Sequence, residues 1–271
     1  MRNQQAEHAA MTAAGYLKAQ LRIQDPEVGI ILGTGWGDKL VVDPCVELPF
    51  TSVPGFSELA SLEGHARKFL YGVCGNKKVV VLSGRVHLNE APADPAIHKM
   101  VRLQTEILMR LGIRKLIVTC AAGALPRSGV ETGDLVVIDG FVSLFAPDMP
   151  LYAGEFYSPE DTLCPQLREI ARTTAQEGFD IVSAGYAMVR GPFFEGRKYD
   201  KEAIARTGAA IVGMSTLPEA CIAALYQARV LALAFVTNDS VEAHSHSVNL
   251  GRASRASSGL GAYLTKLIEQ I

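Results

Sequence analysis

The sequence predicts an α/β fold, and three observations carry that reading. Short apolar runs rich in Val and Ile recur along the chain, and segments of helical period lie between them. Small and polar residues recur just past the ends of the apolar runs. Apolar residues make up 48% of the 271 positions, which is enough for a sizeable core and argues against disorder. The formal net charge is −2 and the basic residues are scattered. That pattern disfavours a nucleic-acid surface, although a single anion pocket would not register in the total. The five cysteines (Cys45, Cys74, Cys120, Cys164, Cys221) form no CxxC pair and read as reduced core thiols, not as a disulfide framework or a zinc site. No apolar stretch approaches bilayer-crossing length, and Met1 to Gln24 lacks the apolar core and cleavage pattern of a signal peptide. A soluble, cytoplasmic protein is expected.

Residues 1–24 read as an amphipathic helix with Ala10, Ala13, Leu17 and Leu21 on one face. Val28 to Gly33 is a buried strand entering the turn Thr34-Gly35-Trp36-Gly37, a strand-to-Gly-turn pattern that can expose backbone N–H groups to an anion. The turn lacks the full dinucleotide fingerprint and the Lys-Ser/Thr ending of a P-loop, so a tight structural turn explains it as well. Lys68–Val73 and Lys78–Leu82 form a hairpin through Gly75-Asn76, and the loop before it carries His65. Past the second strand, Arg85 and His87 would project to one side if the strand continued. They read either as an oxyanion site or as an exposed strand end.

Pro95–Leu111 is helical, Lys115–Cys120 a buried strand, and Ala121 to Leu125 a run of small residues admitting close backbone approach or simply tight packing. Asp134–Ile138 is a strand, and Gly140 to Pro159 a long aromatic loop of the kind found at functional sites and interfaces. Then follow a helix over Leu163–Glu177, a strand over Ile181–Val189, a helix over Lys198–Arg206 and a strand over Ala209–Gly213. A helix over Leu217–Gln227, a strand over Val230–Val236, a polar His-containing loop and a terminal helix over Ala253–Ile271 complete the chain. Without repeats or linkers, residues 1–271 read as a single domain. Thr34, Arg85, Ala121, Glu195, Ser215 and Asn238 all fall just past strand ends, where open α/β sheets bind ligands.

The ordered set Gly33-Thr-Gly-Trp-Gly37, Gly64-His-Ala66, Gly84-Arg-Val-His87, Ala121-Ala-Gly123, Gly191-Pro-Phe-Phe-Glu195, Val212-Gly-Met-Ser215 with Pro218-Glu219, and Thr237-Asn238 resembles the trimeric purine nucleoside phosphorylases. The resemblance runs from about Gly29 to the C-terminus. It implies a single-domain three-layer α/β/α fold with a central mixed, partly barrel-like sheet. It also implies phosphate-dependent cleavage of a 6-oxopurine nucleoside to free base and pentose 1-phosphate, with no metal or organic cofactor, by a homotrimer or a dimer of trimers. By the same resemblance the phosphate pocket falls on Thr34, His65, Arg85, His87, the Ala121 N–H and Ser215. The nucleoside site falls on Asn89, Phe194, Glu195, Met214 and Asn238, with Tyr152 supplied by a neighbouring subunit. Catalysis is assigned to His87, Glu195 and Asn238. An ionised Glu195 accepts from the N1–H of a 6-oxopurine, and Asn238 stabilises charge growing on the departing base.

Some positions depart from the family's pattern. Asn89 stands where relatives often have Tyr, Thr34 where they have Ser, and Cys120 where many have Asn. Leu250 aligns with a histidine that contacts the sugar's 5'-hydroxyl in relatives, with His244 and His246 nearby. Asp239 could accept from a 6-amino group. These residues motivate a xanthosine or 5'-methylthionucleoside phosphorylase as the alternative. A catalytically silent nucleoside-binding protein and a dinucleotide-binding oxidoreductase stand further off.

Overall fold

The computed structural model describes residues 4–36, 40–56, 66–152, 154–155, 158, 163–176, 178–191, 194–239 and 246–271. Nine strands form one mixed sheet: β1 (Val28–Leu32), β2 (Val46–Pro49), β3 (Lys68–Cys74), β4 (Lys77–Ser83), β5 (Lys115–Ala124), β6 (Leu135–Phe145), β7 (Ile181–Val189), β8 (Ile211–Gly213) and β9 (Arg229–Asn238). Their order is β2-β3-β4-β1-β5-β8-β7-β6-β9, and β9 returns to pair with β5. That last pairing closes β5, β8, β7, β6 and β9 into a barrel, from which β1, β4, β3 and β2 run out as an open wing.

Alternation along the strands explains the layers. Ile31, Val80, Leu82, Leu116 and Val118 face one side and pack with α1 (Gln4–Leu21), α2 (Pro95–Arg110) and α5 (Leu217–Ala224). Ile30, Val79, Val81 and Ile117 face the other and pack with α3 (Pro165–Thr173) and α6 (His246–Gln270). With both faces covered, these strands read as continuous apolar runs. The predicted stripe of α1 is the buried one: Ala10, Ala13, Leu17 and Leu21 are all within the core. The short α4 (Asp200–Ala205) sends Ile204 into a third cluster with Ala187, Val189 and Val212.

Four expectations are corrected. The small residues Ala121–Ala124 continue β5, because β9 and then β8 pair with them, and a register break between Ala122 and Gly123 bends the strand. β6 runs on to Phe145, into the stretch expected to be loop, because β7 pairs along it through two further register breaks. Phe156 and Tyr157 of that stretch lie outside the described residues. α6 begins at His246 instead of Ala253. Its buried face runs through Asn249, Ala253, Ser257 and Leu260, so two polar residues interrupt the apolar stripe that would have marked it. Finally, β4 ends at Ser83, and Gly84 (φ +90°) turns the chain out of the sheet, so strand alternation does not place Arg85 and His87.

One buried charge network ties α2 to the segment after β6. Arg102 donates to both oxygens of Glu155 (2.6 and 2.8 Å) and to Glu106 (2.9 Å), and Tyr226 also donates to Glu106 (2.9 Å). Removing one member of such a set strands charge in a water-poor interior. Arg102→Leu is therefore expected to lower stability by about 3–5 kcal/mol, whereas Arg172→Ala, which breaks a solvent-exposed pair with Glu169, changes it by at most about 1 kcal/mol. Urea denaturation midpoints of the two variants check both values.

Candidate active site

Arg85 is completely buried. It donates to Glu219 Oε1 at 2.8 Å and to the Thr119 carbonyl in the middle of β5. Glu219 stands in the first turn of α5, and its second oxygen, Oε2, is buried with no partner among the described residues. Burying a guanidinium without a carboxylate would be prohibitive, so the pair defines where α5 must start. The residue before that helix, Thr216, adopts φ +76°, a conformation that a β-branched residue holds only under strain. Gly33 meets the same cluster from β1, donating to Thr119 Oγ1 at 3.0 Å. A Cβ at Gly33 would lie 2.5 Å from the Thr119 carbonyl oxygen and 3.0 Å from the Arg85 guanidinium. Trp36 donates to the Cys120 carbonyl at 2.9 Å. The Gly-rich turn carrying Thr34 is thereby pinned to the middle of β5.

Gln104, fully buried on α2, clamps the backbone between Arg85 and His87. Its Oε1 accepts from Val86 N at 2.8 Å and its Nε2 donates to Val86 O at 3.0 Å. Glu90 accepts from His87 N at 2.7 Å and from Arg67 at 2.6 Å, and its Oε1 stands 3.6 Å from His87 Nδ1. Burial lowers the pKa of His87; Glu90 pulls the other way, and the charge of Arg85 adds to the burial effect. The net displacement is downward, which makes His87 a neutral imidazole at neutral pH. Burial acts to raise the pKa of Glu90, but the hydrogen bonds from His87 and Arg67 outweigh it and hold the carboxyl below its usual range.

From the barrel, Tyr186 on β7 brackets the backbone of Ser215, donating to its carbonyl (3.0 Å) and accepting from its N–H (3.2 Å). Burial holds the phenol well above its ordinary pKa, so it remains a donor. Burial likewise pushes the Cys120 thiol up to about 11 and leaves it unreactive. Asn238, nearly fully buried at the end of β9, rests on Gly123, where a Cβ would come within 2.7 Å of its Nδ2. Its Oδ1 is 3.2 Å from the Thr237 hydroxyl and its Nδ2 donates to the Asp239 carbonyl at 3.3 Å. Arg252 on α6 donates to the Thr237 carbonyl at 2.9 Å, tying α6 to this corner. Glu195 stands 3.5 Å from the ammonium of Lys201.

These elements enclose a cavity of about 500 Å³. Thr34, Arg85, His87, Asn89, Ala121, Phe194, Glu195, Met214, Ser215 and Asn238, all expected at the site, line it. Tyr152, expected to serve a neighbouring subunit's pocket, has its ring over the Arg102 guanidinium at 4.5 Å in its own chain. His65 and His244 lie outside the described residues, as does the side chain of His246. Asp239 is exposed and is not among the residues lining the cavity, and α6 contributes Asn249, not Leu250, to that lining. Sequence reasoning missed Glu90, Gln104 and Tyr186. The spacing of Glu90, three residues after His87, was the one signal available for it. Among the described residues no cluster of His, Cys, Asp or Glu could hold a metal.

Residues 27–269 match the family model described as the Phosphorylase superfamily. The chain is 31% identical over 265 residues to a purine nucleoside phosphorylase of Mycobacterium tuberculosis, covering 96% of this chain and 95% of that one. Among solved structures it resembles the Schistosoma mansoni purine nucleoside phosphorylase in complex with inosine, with a TM-score of 0.84 and 26% identity over 97% of this chain and 96% of that one. It also resembles the S. mansoni enzyme in complex with adenosine, with a TM-score of 0.82 and 27% identity over 99% and 97% of the two chains. The chain belongs to the phosphorylase superfamily, and its mixed sheet with barrel and flanking helices is the nucleoside phosphorylase fold.

The pH dependence of Glu90 follows from its lowered pKa. A carboxyl with a folded pKa below its unfolded value, about 4.3, stabilises the native state above that pH and loses the contribution as pH falls through the folded value. Glu90→Gln is therefore expected to be destabilising at neutral pH. The difference from the parent should shrink and vanish as the medium is acidified below the carboxylate range, as read from urea midpoints over a pH series.

Proposed function

We propose that the chain is a purine nucleoside phosphorylase that transfers the pentosyl group of a 6-oxopurine nucleoside to inorganic phosphate. The observation that carries this reading is one cavity holding a buried guanidinium with hydroxyls and an imidazole (Arg85, Thr34, Ser215, His87) together with an amide and a carboxylate (Asn238, Glu195). The first group suits a phosphate dianion, which must be bound, partly dehydrated and aimed. The second suits a purine edge. An oxygen of phosphate bonds to the anomeric carbon as the bond from that carbon to N9 of the base breaks. The electron pair leaves with the purine, which takes up a proton, and the sugar retains phosphate as the pentose 1-phosphate. The reaction balances without a metal or organic cofactor.

Asn238 hydrogen-bonds at N7 and O6 as negative charge grows on the base, a contact stronger in the transition state than in the ground state. Glu195 accepts from N1–H, a donor that a 6-oxopurine has and a 6-aminopurine lacks. Met214 and Phe194 supply apolar surface against the sugar and base. Neutral His87, oriented by Glu90, is a donor or acceptor within the same wall. The five free cysteines, four of them buried, support a reducing, cytoplasmic setting. The resemblance to the trimeric enzymes supports a homotrimer in which Tyr152 serves a neighbouring pocket.

Steady-state turnover of inosine, guanosine, xanthosine and adenosine, each with and without phosphate, tests the reading. Phosphate-dependent release of hypoxanthine and guanine is expected, and Asn238→Ala should lower kcat by about 10²–10³-fold. Cleavage that ignores phosphate, or no cleavage at all, overturns it. Tyr152→Ala is expected to raise the KM for nucleoside while the assembly state, measured by light scattering, stays the same. An unchanged KM removes Tyr152 from the site.

A further inference from the structure

Lys201 is completely buried in the first turn of α4, a condition in which lysine is seldom found without a partner. The ammonium lies 3.5 Å from Glu195 Oε1, and the Glu195 side chain is itself only 8% exposed. Glu195 lines the cavity and Lys201 does not, so the carboxylate stands between the ammonium and the space a ligand would fill. The first turn of α4 also clasps the backbone next to Glu195. Lys201 N donates to the Gly196 carbonyl at 3.1 Å, and Asp200 accepts from Gly196 N at 2.8 Å. The position of Glu195 is thus governed from one helical turn behind the wall.

Resting on the phosphorylase reading above, we propose that Lys201 is a positioning residue for base selection, its ammonium holding the Glu195 carboxylate in place as the acceptor facing the purine edge. A carboxylate held by an ammonium on one side presents its remaining lone pairs on the other, where it accepts hydrogen bonds and donates none. A 6-oxopurine offers N1–H to that acceptor, whereas adenine offers a bare N1 and leaves two lone pairs opposed. With the ammonium gone, the carboxylate loses the contact that fixes its direction, and the acceptor aimed at N1–H is no longer held in place. Lys201 therefore acts on the choice between the two purine classes and leaves the phosphate end of the cavity alone.

The test is Lys201→Met with Lys201→Arg as the conservative partner, each read for kcat and KM with inosine, adenosine and phosphate. Lys201→Met is expected to lower the inosine-over-adenosine ratio of kcat/KM by about tenfold or more, with the KM for phosphate within about twofold of the parent and most of the ratio restored in Lys201→Arg. In a Glu195→Gln background the same substitution should leave the ratio unchanged, because the two residues act as one unit. A folded Lys201→Met enzyme with the parental ratio overturns the proposal. So does an equal loss with both nucleosides, or an effect that persists in the Glu195→Gln background. If Lys201→Met does not fold, Lys201→Gln is read by the same ratio and the same criteria. If the parent shows no phosphate-dependent cleavage, the functional reading fails on its own. Calorimetric affinities for hypoxanthine and adenine then judge Lys201, with a parental affinity ratio in the variant overturning its role.

Discussion

The buried pair of Arg85 and Glu219 is the constraint around which the site is arranged. A guanidinium with no access to water needs its charge answered locally and its planar fork filled. Glu219 answers the charge and the Thr119 carbonyl takes a further donor. To satisfy that geometry β1 must end in a residue without a side chain, α5 must begin immediately behind the cavity, and Thr216 must hold a strained dihedral. The strain is maintained because Tyr186 grips Ser215 from the barrel side while Glu219 anchors the helix from the other. Changes at any one of these positions are changes to the orientation of Arg85.

The electrostatic layout of the wall alternates in sign from front to back. Arg85 and His87 face the cavity with carboxylates behind them, Glu219 and Glu90 respectively. Glu195 faces it with an ammonium behind. Each charged or titratable group thus has a partner on the protein side and leaves its remaining hydrogen-bonding capacity for a ligand. Such preorganisation spares the site reorganisation when charge moves during a reaction.

Much of this was legible in the sequence, and the illegible remainder has a physical explanation. Strands buried on both faces announce themselves as unbroken apolar runs, which is why β1, β4 and the first part of β5 were readable. The strand-end residues Thr34, Arg85, Ala121, Glu195, Ser215 and Asn238 were readable because α/β sheets collect ligands there. Gln104 and Lys201 were not, since a polar residue in a helix looks solvent-facing until the tertiary neighbour that buries it is known. Tyr186 looks like any β-strand aromatic. Two interruptions hid the first turns of α6, where Asn249 and Ser257 occupy the inward face. The register break in β5 has no local signature, because three strands (β1, β8 and β9) share its two edges, and those in β6 depend on its pairing with the distant β7.

The pairing of β5 with β9 also bears on how the molecule is assembled. Lys115 lies beside Arg229 in parallel register, so closing the barrel joins the middle of the chain to a strand near its end. During synthesis β1, β4 and β5 can form early, but Glu219, which answers the charge of Arg85, arrives with α5, and Asn238 and its support only when the last strand docks. Until then β5 presents an unpaired apolar edge, the feature most prone to wrong pairings between chains. Parallel, distant contacts of this kind are slow to form. The enzyme's yield on refolding is therefore governed by how fast its C-terminal part reaches a strand made much earlier.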